Sequence, residues 1–208
     1  TAGGLVSQGT GDGWFSAYGA LDGGRLWRFG AGLGIISAPI SYSHQGRQYV
    51  SVLVGYGGAA AMGSNIMAEG WKYGAQPRRL LTFALDGKAT LPPTAPADRH
   101  IDVLDDPELR LDPADVAAGH AQFLACALCH GRDVVAGGTA PDLRESAIAL
   151  DLTSLTQLVR EGGLEDKGMP RYAALSEAQL RQIHAYIRSR ARAVIAEQQS
   201  EQAPRAAQ

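Results

Sequence analysis

Cysteine is almost missing from this 208-residue chain: Cys126 and Cys129 are the whole supply. Two thiols rule out a disulfide framework, and by themselves they cannot close a four-thiolate zinc site. Methionine is nearly as rare, limited to Met62, Met67 and Met169. Excess charge is lacking too. A net charge of −2 and a pI near 6.2 give no basic field for nucleic acid. No apolar run approaches the roughly 20 residues that cross a bilayer, so no membrane-spanning helix is expected. Charge is also unevenly distributed: residues 1–74 hold seven of the 40 charged residues but 18 of the 26 glycines. A break that sharp predicts two domains.

Both thiols lie in "ACALCHGRD", residues 125–133, two residues apart, with His130 directly after the second. A redox dithiol explains the cysteines and leaves the histidine without a role. A zinc site would need further ligands from afar, drawn from His44, His100, His120 or His184. A lone structural disulfide is a third reading. In the fourth, C-x-x-C-H attaches a c-type haem: two thioethers fix the porphyrin and the histidine binds the iron from one face. This last reading uses all three residues. An electron-carrying haem then needs a second axial ligand, commonly a methionine thioether. Met169 is the one methionine C-terminal to the motif, 39 residues after His130, in a loop between Gly168 and Pro170.

Helical patterns surround these residues. "DPADVAAGHAQFLA" predicts a helix over 113–125, with Asp112 as N-cap and Pro113 in the first turn. Residues 152–163 read as a short helix stopped by Gly162 and Gly163. Residues 176–193 read as a third, with Ser176 as N-cap and Leu180, Ile183, Tyr186 and Ile187 at helical spacing. Taken together, residues 113–193 resemble a class I cytochrome c domain. Gly119, Phe123 and Tyr186 match the family's crossing of first and last helices. In "APDLR" the resemblance implies that the Pro141 carbonyl accepts a hydrogen bond from His130, and that Arg144 meets a haem propionate.

The glycine-rich half alternates short runs of Val, Ile, Tyr, Phe and Trp with turn residues such as Gly-Asp-Gly and Asp-Gly-Gly. Antiparallel β structure follows, as a sandwich or as propeller blades. Three stretches carry a more specific resemblance. "AYGALDGGRLW" is similar to the tryptophan-docking motif of the pyrroloquinoline quinone (PQQ) dependent alcohol dehydrogenases, with Ala17, Gly23 and Trp27 matching and Gly19 standing where that family has Asp. "QYVSVLVGYGGA" resembles the stretch that reaches the quinone, which makes Gly55 and Tyr56 candidate PQQ contacts. "LLTFALDGKATLP" resembles the last strand. The expected fold is therefore an all-β partial propeller of antiparallel blades over residues 1–92, then an all-α class I cytochrome c domain over 113–193. Residues 93–112 read as a proline-rich linker and 194–208 as a disordered polar tail.

The whole pattern resembles a quinohaemoprotein alcohol dehydrogenase. That resemblance implies electron transfer through covalent haem c, held by Cys126 and Cys129 with His130 and Met169 on the iron. It implies PQQ and calcium in the full-length enzyme, a small primary or secondary alcohol as substrate, and a blue-copper protein or cytochrome as external acceptor. Because bacteria attach c-type haem outside the cytoplasm, it also implies a periplasmic protein. The family's catalytic base, calcium ligands and quinone-sandwiching ring lie in earlier blades, so no catalytic residue is assigned within this chain. A C-terminal portion of a longer protein is expected, or a chain that completes a separate upstream propeller. Two other classes stay open from sequence: a stand-alone cytochrome with a β docking domain, and an interaction module that uses the motif for zinc.

Overall fold

The computed structural model describes residues 3–55, 73, 77–94, 96, 100–138 and 140–202. The chain divides into two compact units, residues 1–98 with 137–139, and residues 99–136 with 140–208.

The first unit is built from two three-stranded antiparallel meanders. β1 (Leu5–Gly9), β2 (Trp14–Gly19) and β3 (Arg25–Gly30) form one; β4 (Ile40–His44), β5 (Arg47–Val54) and β6 (Arg79–Ala84) form the other. Their turns follow from residue chemistry. The Asp22 carboxylate accepts from the Gly24 N–H at 3.0 Å and occupies the space beside Gly19. Gln45 and Gly46 both take positive φ, 50° and 75°, in the two-residue hairpin that pairs His44 with Arg47. Alternation then sorts the side chains. Phe15, Ala31, Leu33, Ile35, Val52, Val54 and Leu81 form the core. Phe83 joins the sheets, its ring 5.2 Å from Phe15, 5.2 Å from Trp27 and 5.1 Å from Phe29. Trp27 stands opposite Ala17 across β2 and β3. On the other face of the second sheet, Ile40, Tyr42, Leu53 and Leu80 are exposed.

The second unit is helical: α1 (Pro113–Gln122), α2 (Leu124–His130), α3 (Ala147–Leu150), α4 (Leu152–Glu161) and α5 (Glu177–Gln202). Asp112 caps α1 through the Ala114 N–H, and Asp151 caps α4 through the Ser154 N–H. Ser176 and Gln179 close a reciprocal capping box at the start of α5. Helices α1 and α5 cross at Gly119, where a Cβ would lie 2.0 Å from the Gln182 carbonyl and 2.8 Å from Tyr186. Only glycine permits that approach. The core beneath contains Phe123, Val134, Ala149, Leu155, Val159, Leu180, Ile183, Tyr186 and Ile187.

Three expectations about boundaries are corrected. The helix expected over 113–125 is two helices that meet at Phe123, and the second runs through the cysteine motif to His130. No glycine or proline interrupts that stretch before Gly131, so the backbone stays helical. Part of the expected linker is tied down instead of running free. Arg188 donates to the Leu104 carbonyl at 2.9 Å, and Arg192 grips the Asp105 carboxylate at 2.9 Å and the Asp106 and Leu109 carbonyls at 2.7 and 2.8 Å. These arginines sit one turn apart on α5, and no local sequence signal announces their partners. The expected tail remains helical to Gln202, because Ala, Glu and Gln are good helix formers and no breaker precedes Pro204. Residues 203–208 lie outside the described residues.

Candidate haem-binding site

Helix α2 places the attachment residues. Cys126 and Cys129, three apart, share one side of it. Cys126 is half-buried and Cys129 exposed. Burial, aided by the neighbouring Cys129, pushes the Cys126 thiol up to about 11, so it rests protonated at neutral pH.

His130 ends α2 and is buried. Its Nδ1 lies 2.8 Å from the Pro141 carbonyl. A carbonyl only accepts, so Nδ1 carries the proton and Nε2 keeps its lone pair for a metal. Burial lowers the basicity of His130 against the opposing pull of the Pro141 carbonyl, which favours the neutral, ligating form. The turn after His130 is unusual. Gly131 has φ 80°, and a Cβ there would meet the Val135 carbonyl at 1.8 Å. Asp133 and Val134 also take positive φ, 58° and 63°, an uncommon conformation for a β-branched residue. Surrounding contacts hold it: the Tyr186 hydroxyl donates to the Asp133 carboxylate at 3.2 Å, Arg190 donates to the Asp133 carbonyl at 3.2 Å, and Val134 is fully buried.

Beyond Pro141, the structure shows a pair that the sequence reading did not single out. Asp142 and Arg144 are both buried. Arg144 donates through Nε at 2.9 Å and Nη2 at 2.7 Å to the two Asp142 oxygens, and its own backbone N–H donates to Asp142 at 3.0 Å. A bidentate clamp of this kind stiffens the segment that carries the Pro141 carbonyl. Arg144 thus meets Asp142 through Nε and Nη2. The "D-x-R" spacing in "PDLR" was the available signal.

Met169 lies half-buried against the same core cluster that Cys126, Ala127 and Leu143 pack on. Its loop returns to the core through Tyr172 and Leu175. In the β unit, Gly55 has φ 138°, donates its N–H to the Gly34 carbonyl at 2.8 Å and bridges Ile35. Tyr56, Met62 and Met67 lie outside the described residues.

The donor set fits haem c. One helix presents two thiols and a histidine whose tautomer is fixed, and a half-buried thioether borders the same core. Two of the four histidines that a zinc site could recruit have other contacts: His184 is buried and bonds the Leu150 carbonyl at 2.9 Å, and His120 packs 5.2 Å from the Tyr186 ring. Among the described residues, no three of His, Cys, Asp and Glu gather where they could hold a metal ion.

Comparison with known proteins agrees with that chemistry. Residues 112–187 match the family described as cytochrome c oxidase, cbb3-type, subunit III. Quinohemoprotein alcohol dehydrogenase ADH IIB of Pseudomonas putida is 41% identical over 196 residues, spanning 91% of this chain and 27% of that protein. The chain is a homologue of the quinohaemoprotein alcohol dehydrogenases. A lupanine 17-hydroxylase [cytochrome c] from Pseudomonas sp is 37% identical, over 92% of this chain and 27% of its own length. The solved structure of ADHIIG from P. putida superposes with a TM-score of 0.65 at 34% identity, covering 92% of this chain and 28% of that one. The chain thus spans about a quarter of the length of the relatives it matches. Its helical unit is a cytochrome c domain, counterpart of the C-terminal haem domain of those enzymes, and a domain of that kind carries haem c covalently and transfers electrons.

Proposed function

We propose that this chain is the electron-relay portion of a PQQ-dependent alcohol dehydrogenase. Residues 1–92 form closing blades of its propeller, and the cytochrome domain passes electrons to an external acceptor, a blue-copper protein or another cytochrome. The observation that carries the reading is the single-helix presentation of Cys126, Cys129 and a tautomer-fixed His130 in a chain homologous to such enzymes over 91% of its length. The two three-stranded meanders, with apolar residues bare on one face, support the propeller assignment.

When bound, haem c supplies a one-electron iron couple. This chain's residues then have defined tasks. Cys126 and Cys129 hold the group covalently. His130 would offer Nε2 to the iron, with the Pro141 carbonyl fixing its ring. Met169 would supply its thioether as the second protein ligand of the iron, which would leave no open site for small molecules and keep the task to electron transfer. Gly55 and Tyr56 would be the chain's contacts to PQQ, and the rest of the full enzyme would supply calcium and the alcohol pocket. The protein is periplasmic, where its haem is attached.

A visible spectrum tests the assignment. The chain, matured in a periplasm that attaches haem c, is mixed with ethanol, PQQ and calcium, and then with dithionite. Only dithionite is expected to raise the sharp reduced bands. Reduction by ethanol would place a working quinone site in this chain and overturn the relay-only assignment.

A further inference from the structure

The loop that carries Met169 is fastened at its base by two arginines. Helix α4 ends at Glu161 with Gly162 as a left-handed cap, and α5 begins at Glu177. Across the mouth of the intervening loop, Arg160 donates through Nε to the Leu175 carbonyl at 3.1 Å. In the opposite direction, Arg171 donates through Nε to the Arg160 carbonyl at 2.7 Å. The Tyr172 N–H takes the Val159 carbonyl at 2.9 Å, and the Met169 N–H takes the Leu164 carbonyl at 3.1 Å. Val159 and Arg160 are among the last four residues of α4, whose carbonyls lack helical partners. A cationic donor there is further favoured by the helix dipole. Each arginine thus anchors one side of the loop to the other, and Arg160 also lies 4.0 Å from the Glu177 carboxylate at the start of α5.

We propose that Arg160 and Arg171 are positioning residues whose clasp holds the Met169 loop shut and so sets how firmly the thioether stays on the iron; this rests on the reading of Met169 as the sixth ligand. An iron–thioether bond is exchangeable. To leave, Met169 must swing out with its loop, and a loop pinned at both ends gains less freedom by doing so. Removing either pin lowers the cost of opening and admits an outside ligand in place of the thioether. No electron changes hands in that exchange.

The test is imidazole binding to the full chain with haem attached, in the ferric state, followed through loss of the red methionine-to-iron charge-transfer band. R160A and R171A are each expected to raise imidazole affinity about tenfold, the equivalent of about 1.4 kcal/mol. R171K, which keeps a cationic donor, is expected to restore part of the parent's resistance. R181A removes the exposed α5–α1 pair of Arg181 with Asp115, 2.8 Å apart, and is expected to lower stability while leaving imidazole affinity unchanged. R160Q and R171Q carry the same expectation, in smaller measure, where an alanine variant fails to accumulate with haem. M169A is expected to lose the band and bind imidazole tightly. If M169A does so while the Arg160 and Arg171 variants bind like the parent, the clasp is refuted. If M169A itself binds like the parent, the sixth ligand lies elsewhere, and the clasp falls with that reading.

Discussion

The two units handle hydrophobic surface in opposite ways. Of the large hydrophobic residues exposed among the described positions, twelve lie in the β unit and three, Leu124, Leu128 and Ile148, in the helical unit. In the helical unit, one long helix, α5, supplies Leu180, Ile183, Tyr186 and Ile187 to a core that α1 and α4 complete. Leu124 and Leu128, four apart on α2, form the one bare apolar stripe among its described helices. A three-stranded meander has two faces, and its own short chain can cover only one. Leu26, Leu53 and Leu80, each more than 60% exposed, stand in strands whose other faces supply Phe29, Val52, Val54 and Leu81 to the core, and Ile40 stands in a strand exposed along its whole length. Among the described residues, the helical unit covers most of its apolar surface and the β unit leaves much of its own bare.

Separating the units gives the largest expected effect. Residues 99–208, matured with haem, are expected to fold cooperatively and give the full reduced spectrum, whereas residues 1–98 alone are expected to aggregate. Chain-ordered monomeric 1–98, shown by sharp amide dispersion, would break the contrast.

Single substitutions sharpen it. Ile183→Ala empties a site that is 4% exposed, and about 3 kcal/mol of unfolding free energy should be lost, read by denaturant titration of the haem-bearing chain. Leu80→Ser, at a position 62% exposed, should cost less than about 0.5 kcal/mol in the same assay. Equal losses at the two positions would mean that the bare face is covered after all.

The smallest effect concerns pH and belongs to the helical unit. Burial, together with the nearby Arg188, holds His184 below its ordinary value of 6.5, against the Leu150 carbonyl bond and Asp151, which act the other way. The folded state therefore prefers the neutral ring, and the unfolded chain takes up the proton first. The stabilisation is complete above pH 6.5 and is lost as pH falls through the lowered folded value. His184→Gln, which can still donate to Leu150, is expected to flatten that acid limb in a pH series of thermal melts. A limb of unchanged slope would assign it to other groups.

How much of this was legible beforehand follows the same division. The cysteine motif, His130, Asp112 and Ser176 each announce themselves through neighbours in sequence, because caps and i+3 spacings are local, while the Gly119 crossing was implied by the family resemblance. Turns such as Asp22-Gly23 were equally plain. What escaped is long-range or conformational. Arg188 and Arg192 find Leu104 and Asp105 some 84 and 87 residues away. The left-handed Asp133 and Val134 carry no sequence mark, since the strain is imposed by what packs around them. Asp142 was visible as a residue, but its buried grip on Arg144 was not. The helix past residue 193 was misjudged because polar composition suggests disorder while propensity favours helix.

The measurement that bears most directly on the central claim is the visible spectrum of the full chain after periplasmic maturation, taken ferric, then reduced, and again after acid–acetone extraction of free haem. Pigment that stays on the chain through extraction, with sharp reduced bands and a low-spin ferric form, is the predicted result. Colourless protein containing zinc, or haem that washes out of the chain, would contradict it.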